Sequence, residues 1–188
     1  MKRFFVLFSV LLLFVMVGCS ENDAVNPLSP KTGENPDNSH SGSFNKMVPH
    51  KGNIFFYPTG SEPTSDPLVV RIFYEGEGNA SHFGHFTETG EYLLHSDAAG
   101  TPLFVSDVIA TRYTANGDQV FLANVTGVIS LTGDPEHPMI LEGDYNYGGG
   151  IGRFEGVTGN LHWLAVGNPD GSALSNFKGT ISTVGSGK

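Results

Sequence analysis

The stretch Asp144–Trp163, DYNYGGGIGRFEGVTGNLHW, decides the fold of this chain. Polar and aromatic residues alternate over its first four positions, and a second alternating run closes it at residues 161–163. Between these runs, residues 148–159 are rich in glycine. Glycine in or beside a strand marks a bulge, a bend or a close approach of two backbones. Repeated glycines between alternating strands are therefore typical of a small, strongly curved β-sheet.

Alternating segments separated by turn residues continue this pattern from about Gly52 to the end of the chain. Period-two alternation of apolar and polar residues predicts half-buried β-strands. The predicted strand segments are residues 53–57, 67–75, 79–87, 91–95, 103–125, 139–147, 161–166 and 175–184.

Glycines also indicate where the predicted strands stop. Gly76 and Gly78 interrupt the alternation that begins at residue 67, so we expect the second strand to end there. In the third strand, residues 79–87, the alternation places His82 and Phe86 on one face of the sheet.

The clearest predicted hairpin lies within residues 103–125. Its centre is Asn116-Gly117, the strongest short hairpin signal, because a type I′ turn needs positive φ at both central residues. A two-residue turn at this position places Tyr113 opposite Val120 and puts Arg112 on the other face of the hairpin.

Nothing beyond the N-terminal apolar run shows a helical period. About eight strands with regularly spaced turns favour a barrel or a sandwich. A closed barrel leaves no unpaired edges, which a sheet so rich in glycine could not otherwise protect. We therefore predict an all-β domain over residues 51–188, folded as an antiparallel closed barrel of about eight strands.

The first 18 residues have the pattern of a secretory signal peptide. A basic start, Met1-Lys2-Arg3, precedes the apolar run Phe4–Val17, which is shorter than the roughly 20 residues of a spanning helix. The run ends in Met16-Val17-Gly18-Cys19, which resembles the lipobox of bacterial lipoproteins with methionine where leucine is usual. The resemblance implies cleavage before Cys19 and lipidation of Cys19. The alternative is an ordinary signal peptide with a buried cysteine.

Residues 19–50 are predicted to form a disordered tether between this anchor and the barrel. The segment is rich in Asn, Pro, Ser and Gly and has few large apolar residues, so it buries too little to order itself. Ser20 beside Cys19 resembles the outer-membrane sorting pattern, and Glu21 and Asp23 resemble surface-export signals of some Gram-negative lipoproteins. The predicted location is the bacterial envelope, at the periplasmic or surface side of the outer membrane.

Charge limits the classes of partner. The chain has 10 Lys+Arg against 19 Asp+Glu, a net charge of −9. An acidic surface argues against binding nucleic acid and against electrostatic docking on anionic lipid, so acyl chains would hold the protein to the membrane. The single cysteine allows no disulfide within the chain. No cofactor is expected.

Three further segments carry a resemblance to a known family. Residues 80–87 (ASHFGHFT), 114–119 (TANGDQ) and 150–159 (GIGRFEGVTG) are similar to motifs of uncharacterised secreted bacterial proteins grouped with the allene oxide cyclase-like and dirigent-like barrels. The resemblance covers roughly residues 65–183 and implies an eight-stranded antiparallel barrel. Plant members cyclise an epoxide or steer radical coupling inside the barrel. Their catalytic residues have no counterpart that can be placed on this chain, so no activity follows.

Candidates for acid–base chemistry are few. Glu142 and Asp144 lie two residues apart on a predicted strand face, where paired carboxylates could shift a pKa or hold a cation, although a solvated outer face is the plainer interpretation. His82 is three residues from His85, which on a strand sends the two side chains to opposite faces, so it is interpreted as a structural histidine and no metal is expected. Glu142, Asp144 and His82 remain weak catalytic candidates.

The aromatic residues are interpreted as core, or alternatively as the lining of an apolar pocket. They are Tyr74, Phe86, Tyr113, Tyr145, Tyr147, Phe154 and Trp163, of which Tyr113, Tyr145, Tyr147 and Trp163 are the ligand-binding candidates.

Three functions stay open. The favoured one is non-enzymatic binding of a small hydrophobic ligand or a protein partner; the others are an isomerase or cyclase acting inside the barrel, and a purely structural envelope lipoprotein. An internal cavity would argue against the structural role, and a buried titratable group in that cavity would favour the enzyme.

Overall fold

The computed structural model describes residues 46–182 of the chain. The predicted signal peptide, Cys19, residues 20–45 of the predicted tether, and residues 183–188 lie outside the described residues.

The described residues form β-strands joined by turns, with one short 3₁₀ turn at Gly152–Phe154. The strands are β1 (Met47–Pro63), β2 (Val69–Ala80), β3 (Gly84–Ser96), β4 (Pro102–Thr114), β5 (Gln119–Ala123), β6 (Gly127–Leu131), β7 (Met139–Ile151), β8 (Thr158–Gly167) and β9 (Ala173–Ser182). No helix within residues 46–182 has the length and apolar character needed to cross a membrane.

All strand pairs are antiparallel, and the sheet closes on itself. The order runs β3-β2-β1-β9-β8-β7-β5-β4, and β3 also pairs with β4, which completes the ring. The short strands β5 and β6 both lie between β4 and β7, so together they occupy one position in the ring. The predicted all-β, eight-stranded antiparallel closed barrel is therefore confirmed.

The barrel begins before the predicted boundary at residue 51. Strand β1 starts at Met47, and His50, its fourth residue, is only 1% exposed. The strand also continues through Pro58, where a bulge between Pro58 and Gly60 shifts the register with β2. A bulge lets an edge-type residue such as proline remain in a paired strand.

The prediction that β2 ends at Gly76 and Gly78 was wrong. Both glycines are paired and buried inside β2, facing the barrel interior. A methyl group at Gly78 would overlap the carbonyl oxygen of Asn53 and press on the Phe86 ring. Glycine here allows close approach of the backbone to neighbouring groups in a tightly curved barrel, rather than a break.

The third predicted strand also needs correction, because β2 turns into β3 within it. Residues 81–83 form the turn, and His82 has a φ of 71°. The strand alternation is lost across this turn, so His82 is exposed while Phe86 points into the core.

The β4–β5 turn is longer by one residue than predicted. Thr114 N donates to Asp118 O, and only Gly117 in the turn has positive φ, at 83°. This is the three-residue arrangement of a type I turn followed by a left-handed glycine, which competes with type I′ for the same Asn-Gly sequence. Thr111 therefore faces Phe121, and Arg112 faces Val120.

Candidate functional site

The barrel interior holds one ion pair. Glu88 on β3 and Arg112 on β4 both point inward, and Arg112 Nε donates to Glu88 Oε2 at 2.6 Å. Their side chains are 6% and 3% exposed respectively. A buried pair of this kind is tolerated only if further hydrogen bonds satisfy its remaining donors and acceptors.

Three tyrosines supply those bonds. Tyr74 on β2 donates its hydroxyl to Glu88 Oε1 at 2.8 Å. Arg112 Nη1 donates to the hydroxyls of Tyr145 at 2.9 Å and Tyr147 at 2.8 Å, both on β7. We call these five residues, Tyr74, Glu88, Arg112, Tyr145 and Tyr147, the interior polar cluster.

His50 extends the cluster towards one end of the barrel. Its Nε2 lies 2.9 Å from the Tyr147 hydroxyl and its Nδ1 lies 3.2 Å from Ser81 Oγ. Tyr147 accepts from Arg112, so its own hydroxyl can donate to His50 Nε2. In that arrangement the imidazole is the neutral Nδ1–H tautomer, and Nδ1 donates to Ser81.

Aromatic rings surround the guanidinium. The Arg112 Cζ atom lies 4.4 Å from the Phe177 ring centre, 5.0 Å from that of Phe86 and 5.1 Å from that of Tyr145. Cation–π attraction of this kind strengthens in a desolvated setting. The charge of Arg112 is therefore held by ring faces as well as by Glu88.

A cavity of about 80 Å³ adjoins the interior polar cluster. Tyr74, Glu88, Arg112 and Tyr145 form one part of its wall, and the remainder is mainly apolar. The other lining residues are Ile54, Phe56, Tyr92, Val105, Val108, Leu122, Val125, Leu141, Trp163, Ser175 and Phe177. Each water needs at least about 10–15 Å³ of such volume, so the cavity has room for several waters or for part of a small ligand.

Five residues that line the cavity are more exposed than its polar members. Phe56, Tyr92, Val108, Leu122 and Val125 are half-buried, whereas the residues of the interior polar cluster are buried. We call these five half-buried lining residues the mouth of the cavity.

Burial controls protonation in the interior polar cluster. Burial raises the pKa of Tyr74 and Tyr147 well above the ordinary value and also raises that of Tyr145. Burial alone would lower the pKa of Arg112, but Tyr145, Tyr147 and Glu88 outweigh it and hold that pKa above its usual range. The three phenols therefore stay protonated and available for hydrogen bonding at neutral pH.

Chemically, the interior polar cluster is closed on itself. Within residues 46–182, no buried side-chain nitrogen or oxygen lacks a hydrogen-bond partner. Both Glu88 oxygens already accept bonds. Proton transfer to or from Glu88 would therefore first require one of these bonds to break.

The structure places two catalytic candidates outside the barrel. Glu142 and Asp144 on β7 are exposed and flank His162 on β8, with His162 Nε2 3.2 Å from Glu142 Oε1 and Nδ1 3.1 Å from Asp144 Oδ1. They lie together, as the sequence predicted, but on the solvated outer face that was the plainer interpretation.

His82 likewise lies away from the interior polar cluster. Its Nε2 is 3.1 Å from the Pro49 carbonyl oxygen, which agrees with the hydrogen-bonded structural role, and it stacks on His50 with ring centres 5.8 Å apart. Within residues 46–182, no group of three or more His, Cys, Asp or Glu side chains could hold a metal ion.

The ligand-binding candidates divide between the two faces. Tyr145 and Trp163 line the cavity, and Tyr147 lies beneath it in the interior polar cluster. Tyr113 was wrongly assigned to the core: it is 37% exposed on the outer face, because its neighbour Arg112 takes the inward position. The other predicted core aromatics, Tyr74, Phe86 and Phe154, are buried.

Sequence reasoning missed Glu88, Arg112 and His50. Glu88 alternates with the buried Phe86 along β3, and Arg112 alternates with Ala110 along β4, so strand periodicity could have placed both inside. His50 gave no comparable signal because it lay within the predicted tether.

The chain matches no protein-family model and no curated protein sequence.

Proposed function

We propose that this chain is a lipid-anchored envelope protein whose barrel binds a small, largely apolar ligand without transforming it. The supporting observation is the cavity of about 80 Å³ with mainly apolar walls, in which the buried carboxylate of Glu88 already accepts hydrogen bonds at both oxygens. Sites for small molecules commonly combine apolar walls with a few placed polar groups. The ligand class that fits is an apolar body with one polar, hydrogen-bonding end.

The only tryptophan of the chain, Trp163, provides a direct test because it lines the cavity. Full-length protein purified in detergent from its own cells should retain a small molecule by native mass spectrometry. Adding that molecule back to stripped protein should change Trp163 fluorescence. Val108→Phe, which fills the mouth, should weaken binding about tenfold or more, equivalent to about 1.4 kcal/mol.

Val128→Phe is the matched control, since Val128 is 64% exposed on the barrel exterior. It should retain the ligand as the wild-type protein does. Equal retention by the Val108 and Val128 variants would contradict binding in the cavity. Recovery of no small molecule from the wild-type protein would leave the purely structural role.

An isomerase or cyclase is the second candidate, and the buried titratable groups Glu88 and Tyr74 beside the cavity favour it. Such a reaction conserves mass, so the extracted molecule would appear as two chromatographically distinct species of equal mass. A single species favours binding alone. The allene oxide cyclase-like and dirigent-like resemblance is compatible with either function.

The envelope location rests on Cys19, the only cysteine of the chain. We expect Cys19→Ala to abolish incorporation of labelled fatty acid and to release the protein from the membrane fraction, because the chain would then lack its acylation site. Labelling should persist in Ser20→Ala, which keeps the cysteine. Undiminished labelling of Cys19→Ala would disprove the anchor.

A further inference from the structure

A second concave surface lies on the outside of the barrel, apart from the interior polar cluster. It is a groove of about 790 Å³ across β2, β1, β9 and β8. Its polar side chains are mainly amides and amines, from Lys51, Asn53, Asn79, Asn176 and Lys178. We call it the lysine–asparagine groove.

Two lysines face each other in this groove. Lys51 on β1 is the direct cross-strand partner of Lys178 on β9. Like charges directly opposite each other destabilise a sheet. The chain has almost twice as many acidic as basic residues, so a carboxylate beside these lysines would be expected. Within residues 46–182, each arginine pairs with a carboxylate, whereas neither of these lysines does. The arrangement leaves two adjacent positive charges available to an anion.

Three asparagines lie beside the lysines. Asn53 on β1 is the cross-strand partner of both Asn79 on β2 and Asn176 on β9, which makes a continuous row over three strands. Asparagine is depleted in strands, so local propensity does not explain the row. Each amide side chain offers both donors and an acceptor, the combination that pairs with hydroxyl groups.

The surroundings give the groove two different ends. Along β1, the next outward residues, Phe55 and Tyr57, are each 42% exposed and present aromatic surface. On the β8 side, His162 contacts the side chains of Asp144 and Glu142, whose negative charges would repel an anion. A bound anion is therefore directed towards Lys51 and Lys178.

We propose that the lysine–asparagine groove binds an anionic sugar chain, one that carries carboxylate groups among hydroxyls. The lysines match the carboxylates, and the asparagines match the hydroxyls. The four strands span roughly 14 Å at about 4.8 Å per strand spacing, which suits an extended polymer better than a single small ion. This site lies on the outer face of the barrel and shares only Phe177 with the lining of the cavity.

The test uses full-length protein in detergent and polygalacturonate as the probe, with binding followed by isothermal titration calorimetry. Wild-type protein should bind polygalacturonate and not neutral dextran. Lys51→Gln/Lys178→Gln should weaken binding about tenfold or more, while Lys46→Gln, which removes an exposed lysine outside the groove, should change it less than about twofold.

Asn176→Ala keeps both lysines and should weaken binding several-fold, so the proposal does not depend on the double variant alone. Removing the opposed charges should leave the Tm of the double variant unchanged or raised, which separates lost binding from unfolding. The proposal is overturned if wild-type protein does not bind the polymer, if dextran binds equally, or if the double variant binds as wild type does. It is also overturned if inorganic phosphate displaces the polymer at equal charge concentration.

Discussion

Glu88→Ala is expected to lower the free energy of unfolding by about 3–5 kcal/mol, the usual cost of leaving one member of a buried ion pair without its partner. The substitution leaves the Arg112 guanidinium, whose side chain is 3% exposed, without its carboxylate and removes the acceptor of the Tyr74 hydroxyl. The ring faces around Arg112 offset part of this loss but cannot replace a hydrogen-bonded anion. Urea unfolding of wild-type and variant protein measures the difference.

A double variant separates the loss of a charge from the loss of a pair. Glu88→Leu/Arg112→Met removes both charges together, so it should cost less than either single substitution, since no uncompensated charge remains. It should not be neutral, because the hydroxyls of Tyr74 and Tyr145 lose their partners and that of Tyr147 keeps only His50.

The partly exposed pair Arg71–Glu91 is the matched control. It also joins neighbouring strands, but its side chains are 40% and 27% exposed. Glu91→Ala should therefore cost no more than about 1 kcal/mol. If Glu88→Ala were as mild as Glu91→Ala, the interior polar cluster would not be a desolvated ion pair, and its assigned role at the cavity would fail.

The sequence was sufficient for the barrel itself. Alternation within residues 139–147 puts Leu141 and Tyr145 on one face of their strand, and both are buried, as is Trp163. The glycine-rich segment between these strands provides the sharp connection from β7 to β8, through positive φ at Gly149, Gly152 and Gly156. Periodicity and turn chemistry are local, so one chain segment is enough to reveal them.

The interior polar cluster was harder to predict, because it depends on which face of each strand points inward. The register between β4 and β5 depends on whether the turn has two residues or three. A two-residue turn pairs Tyr113 with Val120, whereas the observed three-residue turn pairs Arg112 with Val120. Propensity does not distinguish these turns, since Asn-Gly suits both. The observed register also pairs Arg112 with Glu88 on β3, a long-range contact that turn chemistry alone does not reveal.

Stability of the barrel should fall as the pH drops from about 6.5 to about 4, and His50 should account for much of that loss. Burial, together with the smaller effects of the charges on Arg112 and His82, lowers the pKa of His50 from 6.5 to about 4. Its side chain is almost wholly enclosed, at 1% exposure, and its two ring nitrogens are occupied by Tyr147 and Ser81.

The sign follows from which state binds the proton. Above pH 6.5, histidine is neutral in both states and contributes no pH dependence. Between pH 6.5 and 4, His50 is protonated in the unfolded chain but stays neutral in the folded protein. The unfolded state is therefore stabilised relative to the folded state as the pH falls. Each pH unit is worth about 1.36 kcal/mol, so the total loss is on the order of 3 kcal/mol by pH 4.

Unfolding free energies of wild-type and His50→Gln protein, measured by urea titration at several pH values from 7.5 to about 4, test this expectation. Glutamine retains hydrogen-bonding capacity but cannot be protonated, so the variant should have a flatter pH profile even if it is less stable at pH 7.5. His137→Gln, which removes an exposed histidine from the loop before β7, controls for the loss of a histidine as such. Parallel profiles for wild type and His50→Gln would show that His50 is not held neutral by the barrel, and the directed hydrogen-bond chain from Arg112 through Tyr147 to His50 would have to be abandoned.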